Sequence, residues 1–241
     1  MALYGRHEDD WHLIGSSSGG GGSVFKIGPR GNSVNGFVDA ITYENLQEVN
    51  FNLPIEGSTR YLFAGNNNLT RIPDYFDFSR STNAEHMFNG ATSLEYVGDL
   101  DLSYATNTQQ MFYGCTNLVE VNNLNLSRGT SLNRMFYNDR VLETARLYNL
   151  QEVNNVGQMF YRCDNLKELV LDGIGERNQS SSSNRLLDVS PTALDSVGME
   201  RLAHSLGDTG TTTHPWTLRY NGGVSFNTAI ATDKGWVLDP R

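Results

Sequence analysis

The sequence contains little cysteine and few basic residues. Two cysteines stand among 241 residues, and 27 acidic side chains against 18 basic ones give a net charge of −9. A chain of this length can bury a substantial core without disulfide bonds. The acidic balance argues against bulk electrostatic binding to DNA, RNA or anionic lipid, although a small local basic patch is compatible with it.

Long apolar runs and a secretion leader are also missing. No eighteen apolar residues follow one another, and the opening MALYGRHEDDWHLIG lacks the basic start and unbroken apolar stretch of a signal peptide. We therefore expect synthesis in the cytoplasm without membrane insertion. If the protein acts outside a cell, it must then leave by lysis, by a non-standard route or as part of a particle.

The first 23 residues differ in composition from the rest of the chain. Residues 16–23, SSSGGGGS, form a flexible linker by composition and separate a head, residues 1–15, from the remainder. The head has too few apolar side chains to fold alone but enough to dock on a partner, so we predict that residues 1–23 are an attachment peptide and linker. The predicted docking side chains are Leu3, Tyr4, Trp11, Leu13 and Ile14. A disordered tail or a vector remnant is the alternative.

The most regular feature of the sequence is a Met-Phe or Leu-Phe pair that recurs at steps of 25, 24, 24 and 24 residues. The pairs are Leu62-Phe63, Met87-Phe88, Met111-Phe112, Met135-Phe136 and Met159-Phe160. An apolar residue stands nine positions before each pair, and a leucine follows each phenylalanine by six. A fixed period of this length indicates a solenoid, in which each coil buries its apolar side against copies of itself. The pairs are therefore predicted to be core.

Each repeat is predicted to form one strand and one turn. EYVGDLD, residues 95–101, and LVEVNNLNL, residues 118–126, alternate loosely and are typical of strands that stack into a parallel sheet. TNTQQMFYGC, residues 106–115, predicts a short helix or 3₁₀ turn on the opposite wall. Cys115 and Cys163 are two coils apart, about 10 Å at a strand spacing of about 4.8 Å, which exceeds the roughly 7 Å limit for a disulfide. We expect free thiols that pack in the core.

The pattern MFYGCTNLVEVNNLNLS, residues 111–127, resembles the BspA-like leucine-rich repeats of bacterial surface proteins, some protist surface proteins and bacteriophage-encoded proteins. The resemblance extends over about residues 37–174, and residues 190–239 are similar, less closely, to the closing segment of such proteins in phage genomes. It implies an α/β leucine-rich-repeat solenoid that serves adhesion or recognition of proteins and glycans. We assign about five to six coils to residues 24–178 and a small α/β cap to residues 179–241.

The predicted cap begins with a helix. Leu194 and Met199 fit a hydrophobic staple around an N-cap at Asp195, and about eleven helical residues follow before Gly207. Strand-like WTLRY, a short helical AIATDKG and strand-like GWVLD complete this segment. A cap is needed because the last coil would otherwise expose core and an open sheet edge.

Polar residues on the predicted strand surface are the candidate ligand-binding residues. Stacked on a parallel sheet, they form ladders of carboxylates and amides with an occasional tyrosine, the groups that hydrogen-bond sugar hydroxyls or polar protein loops. They are Tyr96, Asp99, Asp101, Asn123, Asn125 and Asn149. Solvent exposure alone explains such residues equally well, because any solenoid needs a polar exterior.

No constellation in the sequence predicts catalysis, a metal site or a cofactor. HEDDWH, residues 7–12, has no second cluster with ligand spacing to support metal binding. Asp208-Thr209-Gly210 spells the aspartic protease tripeptide but has no second copy with which to share a proton, so we predict a turn. Acids on adjacent coils do not supply the matched carboxylate pair of a glycosidase. We expect a non-enzymatic protein.

These observations lead to the hypothesis of a bacteriophage virion protein that acts as an adhesin or receptor-binding module at a tail fibre or tail tip. Residues 1–23 would dock it in multiple copies on other virion proteins, and the repeats would face a host-surface glycan or protein, with no nucleic acid as partner. Multivalent display would turn weak contacts into avidity. The alternatives are a capsid or tail decoration protein that braces neighbouring subunits, and a bacterial surface or secreted repeat protein.

Overall fold

The computed structural model describes residues 11–13, 25–27, 53–67, 69–72, 76–176, 184–210 and 215–241. Twelve strands and two helices lie in these ranges. The strands are β1 Trp11–Leu13, β2 Phe25–Ile27, β3 Leu53–Ser58, β4 Phe76–Asn83, β5 Tyr96–Val97, β6 Leu100–Asp101, β7 Glu120–Asn125, β8 Thr144–Tyr148, β9 Glu168–Leu171, β10 Leu186–Asp188, β11 Thr217–Tyr220 and β12 Val237–Pro240. The helices are α1 Ser196–Ser205 and α2 Ala229–Thr232.

Within each sheet the strands lie side by side in sequence order. Within the described ranges, β1 to β4 form one sheet, β5 to β9 a second and β10 to β12 a third. Among the described strands, β1 and β2 form the one antiparallel pair. In the second sheet Glu120 pairs with Thr144, which pairs with Glu168, so each strand lies one repeat from the next. The predicted solenoid with a parallel sheet on one face is confirmed.

The wall opposite the sheet, here called the turn wall, consists of residues 60–65, 85–90, 109–114, 133–138 and 157–162. Its amides alternate between two kinds of acceptor. The amide of Met87 donates to the Ala84 carbonyl of its own coil at 3.1 Å, and the next amide, of Phe88, donates to Met111 of the following coil at 2.8 Å. Because every second amide points along the solenoid axis, the consecutive bonds of a helix cannot form, and the wall is built of turns.

The core is a stack of phenylalanine rings, one from each coil. The centroids of successive rings are 5.2, 5.4, 5.4 and 5.7 Å apart, and their planes lie within 7° of parallel. The rings belong to Phe63, Phe88, Phe112, Phe136 and Phe160. The Met or Leu before each ring and the leucine six residues after it are also buried. The predicted core frame is confirmed wherever its side chains are described.

Each coil places a left-handed residue three positions after its Met or Leu. Gly65, Gly90 and Gly114 have φ values of 69°, 69° and 72° there, and Asn138 and Arg162 adopt 70° and 61°. This conformation brings the Cβ of an ordinary residue too close to the following carbonyl, a clash that glycine avoids. The turn geometry therefore requires φ above zero whichever residue the coil carries.

Replacing Gly114 by alanine should lower the free energy of unfolding by about 1 kcal/mol, the usual cost of a left-handed alanine. A Cβ at this position has no heavy atom within 4 Å, so the loss measures backbone conformation alone. Urea unfolding followed by circular dichroism measures it. The matched variant is Gly114→Asn, which should cost less than alanine because asparagine tolerates this conformation. A greater loss for asparagine would show that crowding, not φ, controls the position.

The C-terminal segment closes the described coils with the elements that the sequence predicted. Asp195 is the N-cap of α1 and accepts a hydrogen bond from the Gly198 amide at 2.9 Å. Leu194 and Met199 are buried as a staple requires, and the helix has ten residues where about eleven were predicted. Lys234 donates from Nζ to three carbonyls at the C-terminal end of α1. The cap is therefore tied to the helix that packs on β9.

The N-terminal predictions are described only in part. Trp11 and Leu13 lie in β1, which pairs with β2, and β2 is parallel to β3. Leu3, Tyr4, Ile14, the linker at residues 16–23 and the boundary between residues 178 and 179 lie outside the described residues. The docking role of the head remains a prediction. No helix in the described ranges is long and apolar enough to cross a membrane.

Candidate functional site

A groove opens on the sheet side where the first sheet ends and the second begins. Strands β4 and β5 belong to different sheets, and only two isolated bridges between the described residues cross this border, Arg71 with Tyr96 and Asn83 with Asn107. The groove has a volume of about 510 Å³. Its described lining residues are Arg71, Ile72, Phe76, Tyr96, Val97, Gly98, Asp99 and Leu100. The break in strand pairing therefore creates the concavity.

The groove combines an apolar floor with polar groups. Ile72 and Phe76 are partly buried against the core, whereas Tyr96 is 43% exposed. A Cβ on Gly98 would lie 3.4 Å from the Tyr96 ring, so the ring lies directly beside this glycine. Asp99 accepts a hydrogen bond from Nδ2 of Asn123 on the next coil at 2.5 Å. That bond fixes the carboxyl at the groove.

The structure divides the six predicted ligand-binding residues into three groups. Tyr96 and Asp99 line the groove, and Asn123 supports Asp99 from the next coil. The other three residues lie outside the groove lining. Asn125 accepts from Nδ2 of Asn149 at 3.0 Å, and Asp101 pairs with Asn125 in register and accepts from the Ser103 amide. These three form a separate polar ladder at the strand ends.

Sequence reasoning missed the apolar floor and the arginine of the groove, although one signal was present. The step from Leu62 to Met87 is 25 residues, one more than the following steps. The extra residue lies between Leu69 and Phe78, where nine positions replace the eight that separate Leu94 from Leu102. This segment supplies Arg71, Ile72 and Phe76. A longer connection within a regular repeat was therefore the available indication of a groove.

The centre of the sheet surface satisfies its own charges. The Arg146 guanidinium lies 3.0 Å from Glu168 and 3.7 Å from Glu120, and it also donates to Asn122. Arg201 of α1 adds a second cation 3.3 Å from Glu168. Charges that already form ion pairs gain little from binding a further ion, because their own pair must first be broken. The groove is therefore the better candidate for ligand binding.

Residues 57–172 match the family described as "Mycoplasma protein of unknown function, DUF285". The match fits a BspA-like repeat protein. It begins near the end of β3 and ends just after β9, so it covers the coils and the groove and leaves α1, α2 and strands β10 to β12 outside. No curated protein and no solved structure matches the chain.

One column inside the coils carries ionisable groups. Cys115, Asp139 and Cys163 occupy the same position in three successive coils and are fully buried. Both cysteines are free thiols, as predicted, and each donates to a backbone carbonyl 27 residues earlier, of Phe88 and Phe136, at 3.1 and 2.9 Å. Burial raises the pKa of both thiols, and Asp139 raises it further. Thiols in this state are poor nucleophiles.

Asp139 differs from its two neighbours in the column. Neither of its carboxyl oxygens has a hydrogen-bond partner among the described residues. Burial raises the pKa of this carboxyl well above its usual range. The backbone amides of Cys115 and Gly114 lower the pKa again only in part, and neither amide reaches hydrogen-bonding geometry with the carboxyl. A buried, unpaired carboxylate is costly, so the folded chain favours the protonated acid.

Proposed function

We propose that this protein is a non-enzymatic recognition protein, an adhesin, whose BspA-like coils bind a carbohydrate in the sheet-side groove. The observation that carries the proposal is the exposed Tyr96 ring beside a fixed carboxyl, Asp99, over an apolar floor. A sugar ring presents an apolar C–H face and a rim of hydroxyls, and these match the tyrosine and the carboxyl respectively. The volume of about 510 Å³ falls in the range of about 300–1,000 Å³ that is typical of small-ligand sites.

Display on a bacteriophage particle is the finer part of the proposal. It is supported by the resemblance to phage-encoded repeat proteins and by the linker composition of residues 16–23. Many copies on one particle would give avidity to a groove that binds a single sugar weakly. Immunogold electron microscopy of purified particles tests this part. Gold at a tail tip supports it, uniform gold over the head favours a decoration protein, and particles without gold contradict a virion role.

The groove predicts which substitutions will weaken binding. Wild-type protein on a glycan array should give saturable hits, and Tyr96→Ala and Asp99→Asn should each weaken them by about tenfold, the loss of one charge-assisted hydrogen bond or aromatic contact. The matched control is Tyr104→Ala, which removes a tyrosine that is 54% exposed and lies outside the groove lining. An array without hits, or equal losses for Tyr96→Ala and Tyr104→Ala, would contradict the proposal.

A further inference from the structure

Three exposed arginines on the turn-wall side of residues 133–162 differ from most other arginines of the described chain. Six other arginines of the described chain lie within ion-pair distance of a carboxylate: Arg60, Arg80, Arg146, Arg201, Arg219 and Arg241. Arg128, Arg134, Arg140 and Arg162 are exposed and have no carboxylate at that distance among the described residues, and the last three belong to two successive coils. Positive charge that is not neutralised therefore collects on one wall of a protein whose net charge is −9.

Stacked tyrosines lie beside two of these cations, Arg134 and Arg162. The rings of Tyr113, Tyr137 and Tyr161 lie 4.8 and 4.7 Å apart in succession. The Arg134 guanidinium lies 5.8 Å from the Tyr137 ring centroid, and that of Arg162 lies 5.5 Å from the Tyr161 ring. A guanidinium near an aromatic ring is attracted to the ring quadrupole and keeps its charge. The tyrosines thus order the cations without neutralising them.

Amide side chains complete this arrangement across two coils. Arg134 donates from Nε to Oε1 of Gln158 at 2.8 Å, and Arg140 is 3.4 Å from Oδ1 of Asn138. We call the connected set Arg134, Tyr137, Arg140, Tyr161 and Arg162 the arginine–tyrosine strip. Its donors lie on successive coils that are joined by backbone bonds. The strip therefore places three cationic donors at three different positions of two successive coils.

The acids nearest in sequence do little to neutralise the strip. Asp139 is buried in the core with no exposed surface, and burial raises the pKa of its carboxyl, so it supplies no charge to this wall. Asp164 is exposed and follows Arg162 by two residues. Three cations against this one exposed carboxylate leave a local positive excess.

We infer that the arginine–tyrosine strip binds an anionic polysaccharide, one that carries carboxylate or sulfate groups along its chain. Arginine pairs with such groups through two parallel hydrogen bonds, and three arginines on two adjacent coils can contact several charges of one polymer chain. Nucleic acid fits the strip less well, because the tyrosine faces are occupied by one another and offer no platform on which bases could stack. The strip is on the wall opposite the groove, so this inference does not depend on the proposed function.

Binding of the full chain to immobilised chondroitin sulfate, measured by biolayer interferometry, tests the inference. The triple variant Arg134→Gln/Arg140→Gln/Arg162→Gln should bind about tenfold or more weakly, since each exposed ionic contact contributes up to about 1 kcal/mol. The matched control is Arg80→Gln/Arg201→Gln/Arg241→Gln, which makes the same change in net charge at exposed arginines elsewhere. This control should lose much less. Equal losses for the two triple variants, or no binding by the wild-type chain, would overturn the inference.

Three further measurements separate the strip from general charge attraction. Asp164→Asn should strengthen binding, because it removes the exposed carboxylate near Arg162. Raising the salt from about 50 to about 200 mM should weaken binding, as it does wherever counterions are released from a charged polymer. A single-stranded DNA oligonucleotide should bind more weakly than chondroitin sulfate at equal salt. DNA binding of equal or greater strength would identify the strip as a nucleic-acid surface and overturn the assignment to polysaccharide.

Discussion

Replacing Phe112 by alanine will lower the free energy of unfolding by about 3–5 kcal/mol, the usual cost of deleting a fully buried aromatic ring. Phe112 stands in the middle of the ring stack, with neighbouring rings at 5.4 Å on both sides, and has no exposed surface. Its removal leaves a cavity in the column that joins one coil to the next. Because each coil of a solenoid is stabilised mainly by its neighbours, the array will lose cooperativity at this coil.

Urea unfolding followed by circular dichroism distinguishes this from a local loss of packing. The alanine variant should unfold with a broader transition than the wild type, because the coils on either side of the cavity become partly independent. Phe112→Leu keeps most of the volume and should cost less than about 1.5 kcal/mol. An alanine variant that loses no more than the leucine variant would show that ring stacking does not couple the coils.

The stability of the protein will fall as the pH rises from mildly acidic to neutral, and Asp139 is the residue responsible. Burial raises the pKa of this carboxyl in the folded state above the value of about 3.9 that it has in an unfolded chain. Below about pH 3.9 both states hold the proton, and Asp139 adds no pH dependence. Above about pH 3.9 the Asp139 carboxyl is ionised in the unfolded chain but still protonated in the folded one. The free energy of unfolding therefore falls as the pH rises, until the carboxyl of the folded state also ionises.

Asp139→Asn should remove this pH dependence and raise the free energy of unfolding at pH 7 by about 1–3 kcal/mol, the range expected when a buried polar group is no longer left unsatisfied. The amide nearly matches the size of the protonated acid and cannot ionise. The thiols of Cys115 and Cys163, one coil before and one coil after Asp139, each donate to the backbone carbonyl 27 residues earlier. For Asp139 the corresponding carbonyl is that of Phe112. We expect the protonated acid, and the amide, to donate to this carbonyl.

Urea midpoints measured between about pH 4 and pH 8 for the wild type and Asp139→Asn test this prediction over the range in which a raised carboxyl pKa acts. The ionisable groups in the same column are Cys115 and Cys163, whose thiols stay protonated in this range because burial raises the pKa of each. Asp164→Asn is the matched control, since it removes an exposed carboxylate close to Cys163 in sequence. It should leave the pH profile unchanged. Parallel profiles for the wild type and Asp139→Asn would contradict the assignment.

The candidate groove shows how far the repeat pattern can be followed from sequence. Tyr96 and Asp99 were predicted because a strand surface recurs at a fixed place in each coil. Arg71, Ile72 and Phe76 were not, because they lie where the repeat has one extra residue and the pairing between sheets is interrupted. A pattern predicts the residues that obey it, and the groove forms at a departure from it.

The sequence by itself determined the solenoid, its phenylalanine core, its free thiols and its helical cap. These follow from periodic apolar residues and local capping signals, which act between neighbours along the chain or between identical positions one coil apart. Only the tertiary structure decided that the opposite wall is built of turns, that Asp139 is buried without a hydrogen-bond partner among the described residues, and that Arg134 and Arg162 lie beside stacked tyrosines. Hydrogen-bond direction, burial and charge pairing depend on which side chains face each other across coils, and that register exists only once the coils have stacked.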